Sequence, residues 1–180
     1  NAYGYSKALF DQYGSRKLSR ADSQVVGLRY FNVYGPREQH KGSMASVAYH
    51  HYQQIQQDGV VRLFEGCDGY GDGEQLRDFV YVDDAVNVNL WMLDHPEVSG
   101  VFNCGTGTAE PVNHIANAII EFFKEGEIEY IAFPSDLIDS YQSYTQADLS
   151  TLRSAGYSES FVGVSKGVSR YMRRIALKNN

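Results

Sequence analysis

Val25-Val26-Gly27-Leu28-Arg29-Tyr30-Phe31, followed by Asn32-Val33-Tyr34-Gly35-Pro36-Arg37, is the stretch on which the reading of the fold turns. The first seven residues are short, apolar and rich in β-branched and aromatic side chains, which predicts a buried strand. Gly35-Pro36 breaks the chain just beyond it, so a functional loop is expected at the carboxyl end of that strand, where α/β sheets carry their ligand loops. Upstream, Tyr3 to Leu18 reads as a helix and Ser19 to Gln24 as a polar connection. Downstream, Ser46 to Gln57 reads as a helix stopped by Gly59, and Val60 to Phe64 as a strand. Asp68 to Gln75, with its glycines and acids, predicts a surface loop, and Phe79 to Val82 a short apolar piece. Asp83-Asp84 suits the amino end of a helix over Ala85 to Leu93, closed by Pro96. Val101 to Cys104 is a second candidate buried strand, and Pro111 opens a helix that runs through Phe123. Ile128 to Phe133 supplies a further strand. Val164, Val168, Tyr171, Met172 and Ile175 recur at the spacing of one face of a final helix. Strands alternate with helices, so the class is α/β. No internal repeat, low-complexity tract or long linker divides the chain.

Composition narrows the function. The net charge is −6 and Lys and Arg are scattered, which argues against a surface that tracks nucleic-acid phosphates. No apolar run reaches the ~20 residues needed to span a bilayer and no signal-peptide pattern opens the chain, so a cytoplasmic protein is expected. Cys67 and Cys104 lack paired or metal-binding spacing, which predicts reduced thiols. The sequence enters a helix at once, without the strand, Gly-rich turn and helix that open a dinucleotide-binding domain; that half of the domain is expected to lie outside this chain.

Tyr3 and Lys7 stand four apart, which places both on one helix face. A phenol is a poor base at neutral pH, but an adjacent ammonium favours the phenolate, which can take a proton from an alcohol as hydride leaves. Tyr and Lys at this spacing also occur on many helices with no chemistry, so the context decides. Tyr3-Gly4-Tyr5-Ser6-Lys7, then Arg29 to Arg37 (R-Y-F-N-V-Y-G-P-R), then Arg77 to Asp84 (R-D-F-V-Y-V-D-D), then Phe102 to Gly107 (F-N-C-G-T-G) occur in that order. Together they resemble the C-terminal half of the extended short-chain dehydrogenases/reductases that act on nucleotide sugars. Arg37 to Ser46 (R-E-Q-H-K-G-S-M-A-S) and Tyr141 to Asp148 (Y-Q-S-Y-T-Q-A-D) resemble more narrowly the branch of that family that epimerises carbon 6 of an ADP-activated heptose.

The resemblance covers nearly the whole chain and implies the C-terminal portion of a Rossmann-type parallel sheet interleaved with a smaller α/β substrate-binding domain. Residues 1–30, 78–107 and 141–157 would belong to the first, and 31–77, 108–140 and 158–180 to the second. It implies an isomerase that oxidises the sugar to a ketone and reduces it again on the opposite face with NADP, or NAD, supplying activated heptose for lipopolysaccharide core synthesis. Tyr3 would be one acid/base, and Lys41 the second group, reached once the sugar has turned. Lys7 would hold the nicotinamide ribose; Tyr3, Lys41 and Val33 would also contact cofactor. Asn32, Ser43, His50, Phe64, Glu65, Gly66, Cys67, Arg77 and Tyr141 would contact ADP-heptose. A homo-oligomer, a pentamer, is implied as well, with no nucleic-acid or membrane partner and no metal.

Plainer readings stand beside these. Lys41, between His40 and Gly42, also reads as a solvated loop lysine, and His50-His51 as residues of a polar helix face. Arg77 suits either a diphosphate or an ion pair with Asp78. Another extended short-chain nucleotide-sugar enzyme (a 4-epimerase, dehydratase or reductase) and a non-catalytic sugar-nucleotide-binding piece remain competing functions, which Lys41 and solution behaviour would separate.

Overall fold

The computed structural model describes residues 2–18, 20–135 and 141–177. Asn1, Ser19, residues 136–140 and residues 178–180, which the expected division into domains includes, lie outside that set.

Helix α1 (Ala2–Leu18) leads to strand β1 (Val26–Tyr30), which pairs in parallel with β6 (Gly100–Cys104). The extended chain does not stop there. Phe31 donates its N–H to Cys104 O at 3.1 Å, Asn32 donates its own to Asp78 O at 3.0 Å, and β2 (Asn32–Tyr34) pairs in parallel with β5 (Phe79–Tyr81). One segment therefore changes partner between Phe31 and Asn32. The expected loop after Phe31 is thus a strand, because Asn32 to Tyr34 finds a buried parallel neighbour before Gly35 breaks the chain. From β5 the chain turns directly into α3 (Val82–Asp94) and returns as β6.

The second layer pairs β3 (Val60–Phe64) in parallel with β8 (Glu127–Ile131), backed by α2 (Val47–Asp58), α4 (Val112–Phe123) and α6 (Val164–Ala176). A short antiparallel pair, β4 (Leu76–Arg77) with β7 (Glu110–Pro111), joins the layers, and a single turn of helix, α5 (Ser150–Ser154), precedes the final segment. All five residues predicted for the inner face of α6 are buried. Its opposite face presents Lys166, Arg170, Arg173 and Arg174 to solvent. The buried apolar residues form two clusters. One gathers Tyr34, Phe79 and Tyr81 with α2, β3, α4 and α6; the other gathers α3, Phe102, Cys104, Leu152 and Tyr157.

The strand predicted as buried over Val25 to Phe31 is only partly covered: Val26 to Leu28 are half-buried and Tyr30 is 49% exposed. A parallel strand is enclosed only when neighbours cover both edges and both faces, and among the described residues β1 pairs with β6 alone. The Asp68 to Gln75 loop is likewise less superficial than its composition predicts. Gly73 and Gln75 are buried, and Asn113 donates to Asp72 O at 2.9 Å and to Glu74 Oε1 at 2.7 Å.

Helix α2 shows how local chemistry sets an element. Ser46 caps its amino end by accepting the Tyr49 N–H, and Gly59 ends it in the left-handed conformation. Ala48, His51 and Ile55 form its buried face. Polar composition suggested an exposed His50-His51 pair, but helix geometry turns the two apart. His50 is half-buried and His51 is enclosed at 4% exposure, with its Nδ1 unpartnered among the described residues. Burial, reinforced by the neighbouring His50, lowers the His51 pKa to about 3. Between its ordinary value of 6.5 and about 3, the unfolded chain holds one more proton at this site than the folded chain does. Stability therefore falls as pH drops through that window, by up to about 1.4 kcal/mol per pH unit. Urea unfolding at pH 7.5 and 5.5 should show this loss in the wild type and a shallower one in His51→Leu. Equal pH sensitivity in the two proteins would count against it.

Candidate functional site

Tyr3 and Lys7 lie on one exposed face of α1, with the Lys7 ammonium 5.1 Å from the centre of the Tyr3 ring. The helix buries none of its side chains, and Tyr3 is 72% exposed. Arg29 on β1 holds the helix to the sheet through Asp11, at 2.6 Å. The phenol accordingly presents an open edge, with the ammonium over its ring face.

Asn32 and Val33 stand at the partner switch. Asn32 is exposed and accepts from Thr145 Oγ1 at 3.4 Å; Val33 is half-buried beside it. Beneath them lies a residue that the sequence offered only as an ion-pair partner for Arg77. Asp78 is wholly buried, and its carboxylate accepts four hydrogen bonds. Thr106 N and Thr106 Oγ1 donate to Oδ1 at 2.7 Å each, and Gly107 N and Ala147 N donate to Oδ2 at 2.9 and 3.0 Å. The Asp78 N–H also donates to Thr145 Oγ1 at 3.3 Å. Asp78 thus fastens the Gly-Thr-Gly loop after β6 to the segment around Ala147, under Asn32. The signal available in the sequence was an acid set directly before a wholly apolar strand, Phe79–Tyr81, where only a satisfied carboxylate can be buried.

With its carboxylate so engaged, Asp78 makes no ion pair with Arg77. The Arg77 guanidinium instead lies 4.7 Å from the centre of the Tyr141 ring and donates to Leu76 O at 3.0 Å. Burial raises the Tyr141 pKa, with Arg77 opposing. Tyr141 packs edge-on against Phe133 at 5.0 Å, and Phe133 against Phe64 at 5.1 Å. Gln75, buried among them, donates to Glu65 O at 3.0 Å and to Cys67 Sγ at 3.6 Å, while Gly66 N donates to Asp72 Oδ1 at 2.8 Å. Cys67 also lies 3.7 Å from Ser143 Oγ, which bonds Asp68. Six of the predicted contact residues, Phe64, Glu65, Gly66, Cys67, Arg77 and Tyr141, are therefore drawn to one aromatic-walled place.

Lys41 and Ser43 belong to a 3₁₀ turn (Gln39–Met44) that the sequence did not predict, and both are exposed. Among the described residues no hydrogen bond, ion pair or ring contact joins them to Tyr3, Lys7 or the aromatic cluster. The His50 ring lies 6.3 Å from the Tyr49 ring, and its backbone N–H donates to Ser46 O at 3.1 Å. Both cysteines are free, and burial pushes the Cys104 thiol up to about 12. Among the described residues no three His, Cys, Asp or Glu side chains are grouped to hold a metal ion, and no helix is long and apolar enough to cross a membrane.

A parallel α/β sheet with a Tyr-Lys pair on a flanking helix, and a strand switch whose loops converge on polar side chains, is the architecture of nucleotide-dependent enzymes of the short-chain type. The chain belongs to the NAD dependent epimerase/dehydratase family, whose sequence model matches residues 1–105. It is 61% identical, over 98% of its length, to the ADP-L-glycero-D-manno-heptose-6-epimerase of Alkalilimnicola ehrlichii, and covers 55% of that protein. The chain thus spans about half the length of the curated relative it matches. The crystal structure of Helicobacter pylori ADP-L-glycero-D-manno-heptose-6-epimerase superposes with a TM-score of 0.80 at 33% identity, over 98% of this chain and 51% of that one. The UDP-glucose 4-epimerase of Thermus thermophilus, solved with NAD, superposes with a TM-score of 0.77 at 25% identity, over 97% and 53%. The α/β fold with parallel strands and the expected family are both as the sequence implied.

Proposed function

We propose that a full-length protein containing this chain epimerises carbon 6 of the heptose in ADP-glycero-manno-heptose, a cytoplasmic step that supplies activated heptose for lipopolysaccharide core synthesis. The observation that carries the reading is the 61% identity to a heptose epimerase over 98% of the chain. The residues also suit a nicotinamide cofactor at its reactive end: an exposed phenol with an ammonium 5.1 Å from its ring. No strand, Gly-rich turn and helix for the pyrophosphate occurs in this sequence, so the chain by itself is expected to be inactive. When bound, NADP would supply reversible hydride transfer at carbon 6, held by Tyr3, Lys7, Val33 and Lys41.

The chain's own residues do the rest. Tyr3 removes the proton from the carbon 6 hydroxyl, and Lys7 holds the ribose. Arg77, stacked on Tyr141, offers its planar fork to the diphosphate, and the Phe64 to Cys67 wall lines the nucleotide. Once the sugar has turned, Lys41 returns a proton to the ketone oxygen in its new place, beside Ser43 and Asn32. The two proposed domains, 1–30 with 78–107 and 141–157 against 31–77 with 108–140 and 158–180, would enclose the sugar between them, and self-association as a pentamer belongs to the same reading.

The test is proton NMR of ADP-glycero-manno-heptose incubated with the full-length protein and NADP. Inversion at carbon 6 is expected, with Lys41→Ala slower by about a hundredfold or more. Inertness toward this sugar, with turnover of UDP-glucose and a silent Lys41→Ala, would instead make it a 4-epimerase like the Thermus enzyme.

A further inference from the structure

Glu38 is buried at 2% exposure in a segment that is otherwise largely exposed. Its carboxylate reaches both ends of that segment. Oε2 accepts from Ser46 N at 2.7 Å, and Oε1 accepts from Ser46 Oγ at 2.7 Å and from Gly35 N at 3.5 Å. The fourth donor comes from elsewhere in the fold: the Tyr171 hydroxyl, on the inner face of α6, lies 2.8 Å from Oε1. Burial and this hydrogen bond raise the Tyr171 pKa well above its ordinary value, so the hydroxyl stays protonated and donates.

What the carboxylate closes is a strained excursion. Arg37 holds a left-handed φ of 75°, unusual for a residue with a side chain, and Gly42 turns the chain at φ 54° and ψ −126°. At the base, a Cβ on Gly35 would come within 2.4 Å of Val82, so the backbone is pressed against the start of α3. Strain of this kind persists only where surrounding contacts over-determine it, and the contacts here converge on Glu38. Between the pinned ends, Lys41 and Ser43 stand in solvent on the 3₁₀ turn, where the Lys41 N–H donates to Glu38 O at 2.9 Å and the Ala45 N–H to Gly42 O at 3.1 Å.

We infer that Glu38 is the positioning residue for Lys41: its carboxylate, clamped between Ser46 and Tyr171, fixes the 35–46 turn so that the lysine meets the reoriented sugar. The inference rests on the reading of Lys41 as second acid/base. A glutamine in its place has one acceptor oxygen for donors that now share two, so at least one end of the turn is released without emptying the site. A displacement of about 1 Å at an acid/base group costs on the order of a hundredfold in rate.

The experiment uses the full-length protein with NADP and ADP-heptose, in two readouts. Tryptic cleavage after Lys41 should be at least about tenfold faster in Glu38→Gln, and severalfold faster in Tyr171→Phe, which keeps the core volume should the first variant fold poorly. In turnover, Glu38→Gln should lower kcat at least about tenfold with KM within about threefold, and should add less than about twofold in a Lys41→Ala background. Wild-type cleavage and kcat in both variants, or a loss that adds in full to that of Lys41→Ala, overturns the positioning role while leaving Lys41 its own. A silent Lys41→Ala overturns the acid/base reading and this inference with it.

Discussion

Tyr3→Phe in the full-length protein is expected to lower kcat by about 10² to 10⁴, the range spanned by removal of a positioned acid/base group. The change deletes one oxygen and nothing else that the fold uses. The Tyr3 ring is 72% exposed, the nearest side-chain hydrogen bond, from Ser6 Oγ, goes to its backbone carbonyl at 2.7 Å, and Lys7 lies over the ring face rather than on the hydroxyl. Thermal stability should therefore stay within about 0.5 kcal/mol of wild type. KM should hold as well, since the phenyl ring still covers the same surface. Purified variants compared by NMR turnover and by thermal unfolding separate the outcomes. Turnover within about threefold of wild type would remove Tyr3 from the chemistry. A large fall in melting temperature would mean that α1 depends on that hydroxyl in a way its exposure does not suggest.

How much of this was legible beforehand follows from the range over which each signal acts. The α6 face, the Ser46 cap, the Gly59 stop and the strand Val60–Phe64 are written in neighbouring residues, and the structure has them where the spacing put them. The partner switch at Phe31 and Asn32 was not readable, because it depends on two strands, β5 and β6, that begin 47 and 68 residues after Asn32. For the same reason β1 was expected to be more enclosed than it is: composition reports what a strand could bury, and neighbours decide what it does bury. Among the candidate site residues, motif order pointed to the residues of the aromatic-walled cluster and to the Tyr3 and Lys7 pair. Glu38 was passed over, and Asp78 read only as an ion-pair partner, because a carboxylate looks solvated until its donors, 46, 171, 106, 107 and 147 in the chain, are folded around it.

Asp78 and Asp83 make that difference measurable, since they are five residues apart in one motif and are held in opposite ways. Asp83 takes two hydrogen bonds from the Arg174 guanidinium, at 3.0 and 2.8 Å, but the side chains are 37% and 50% exposed. Such a pair in high dielectric is worth about 0 to 1 kcal/mol, so Asp83→Ala should be nearly silent in urea unfolding. Asp78→Ala removes the buried acceptor of Thr106 N, Gly107 N and Ala147 N and leaves Thr106 Oγ1 with Thr108 O. Leaving a buried donor unsatisfied costs on the order of 1–3 kcal/mol for one group, and more where the lost acceptor was charged. A loss of that size is a large share of the roughly 5–15 kcal/mol that holds a domain folded, so the variant should unfold at markedly lower urea. Asp78→Asn should fall between, because one amide oxygen can still accept while its N–H₂ meets donors rather than acceptors. Equal midpoints for Asp78→Ala and Asp83→Ala would mean that the loop after β6 is held by its backbone alone. The predicted order, with Asp78→Ala least stable, would identify this carboxylate as the fastener of the floor on which Asn32 stands.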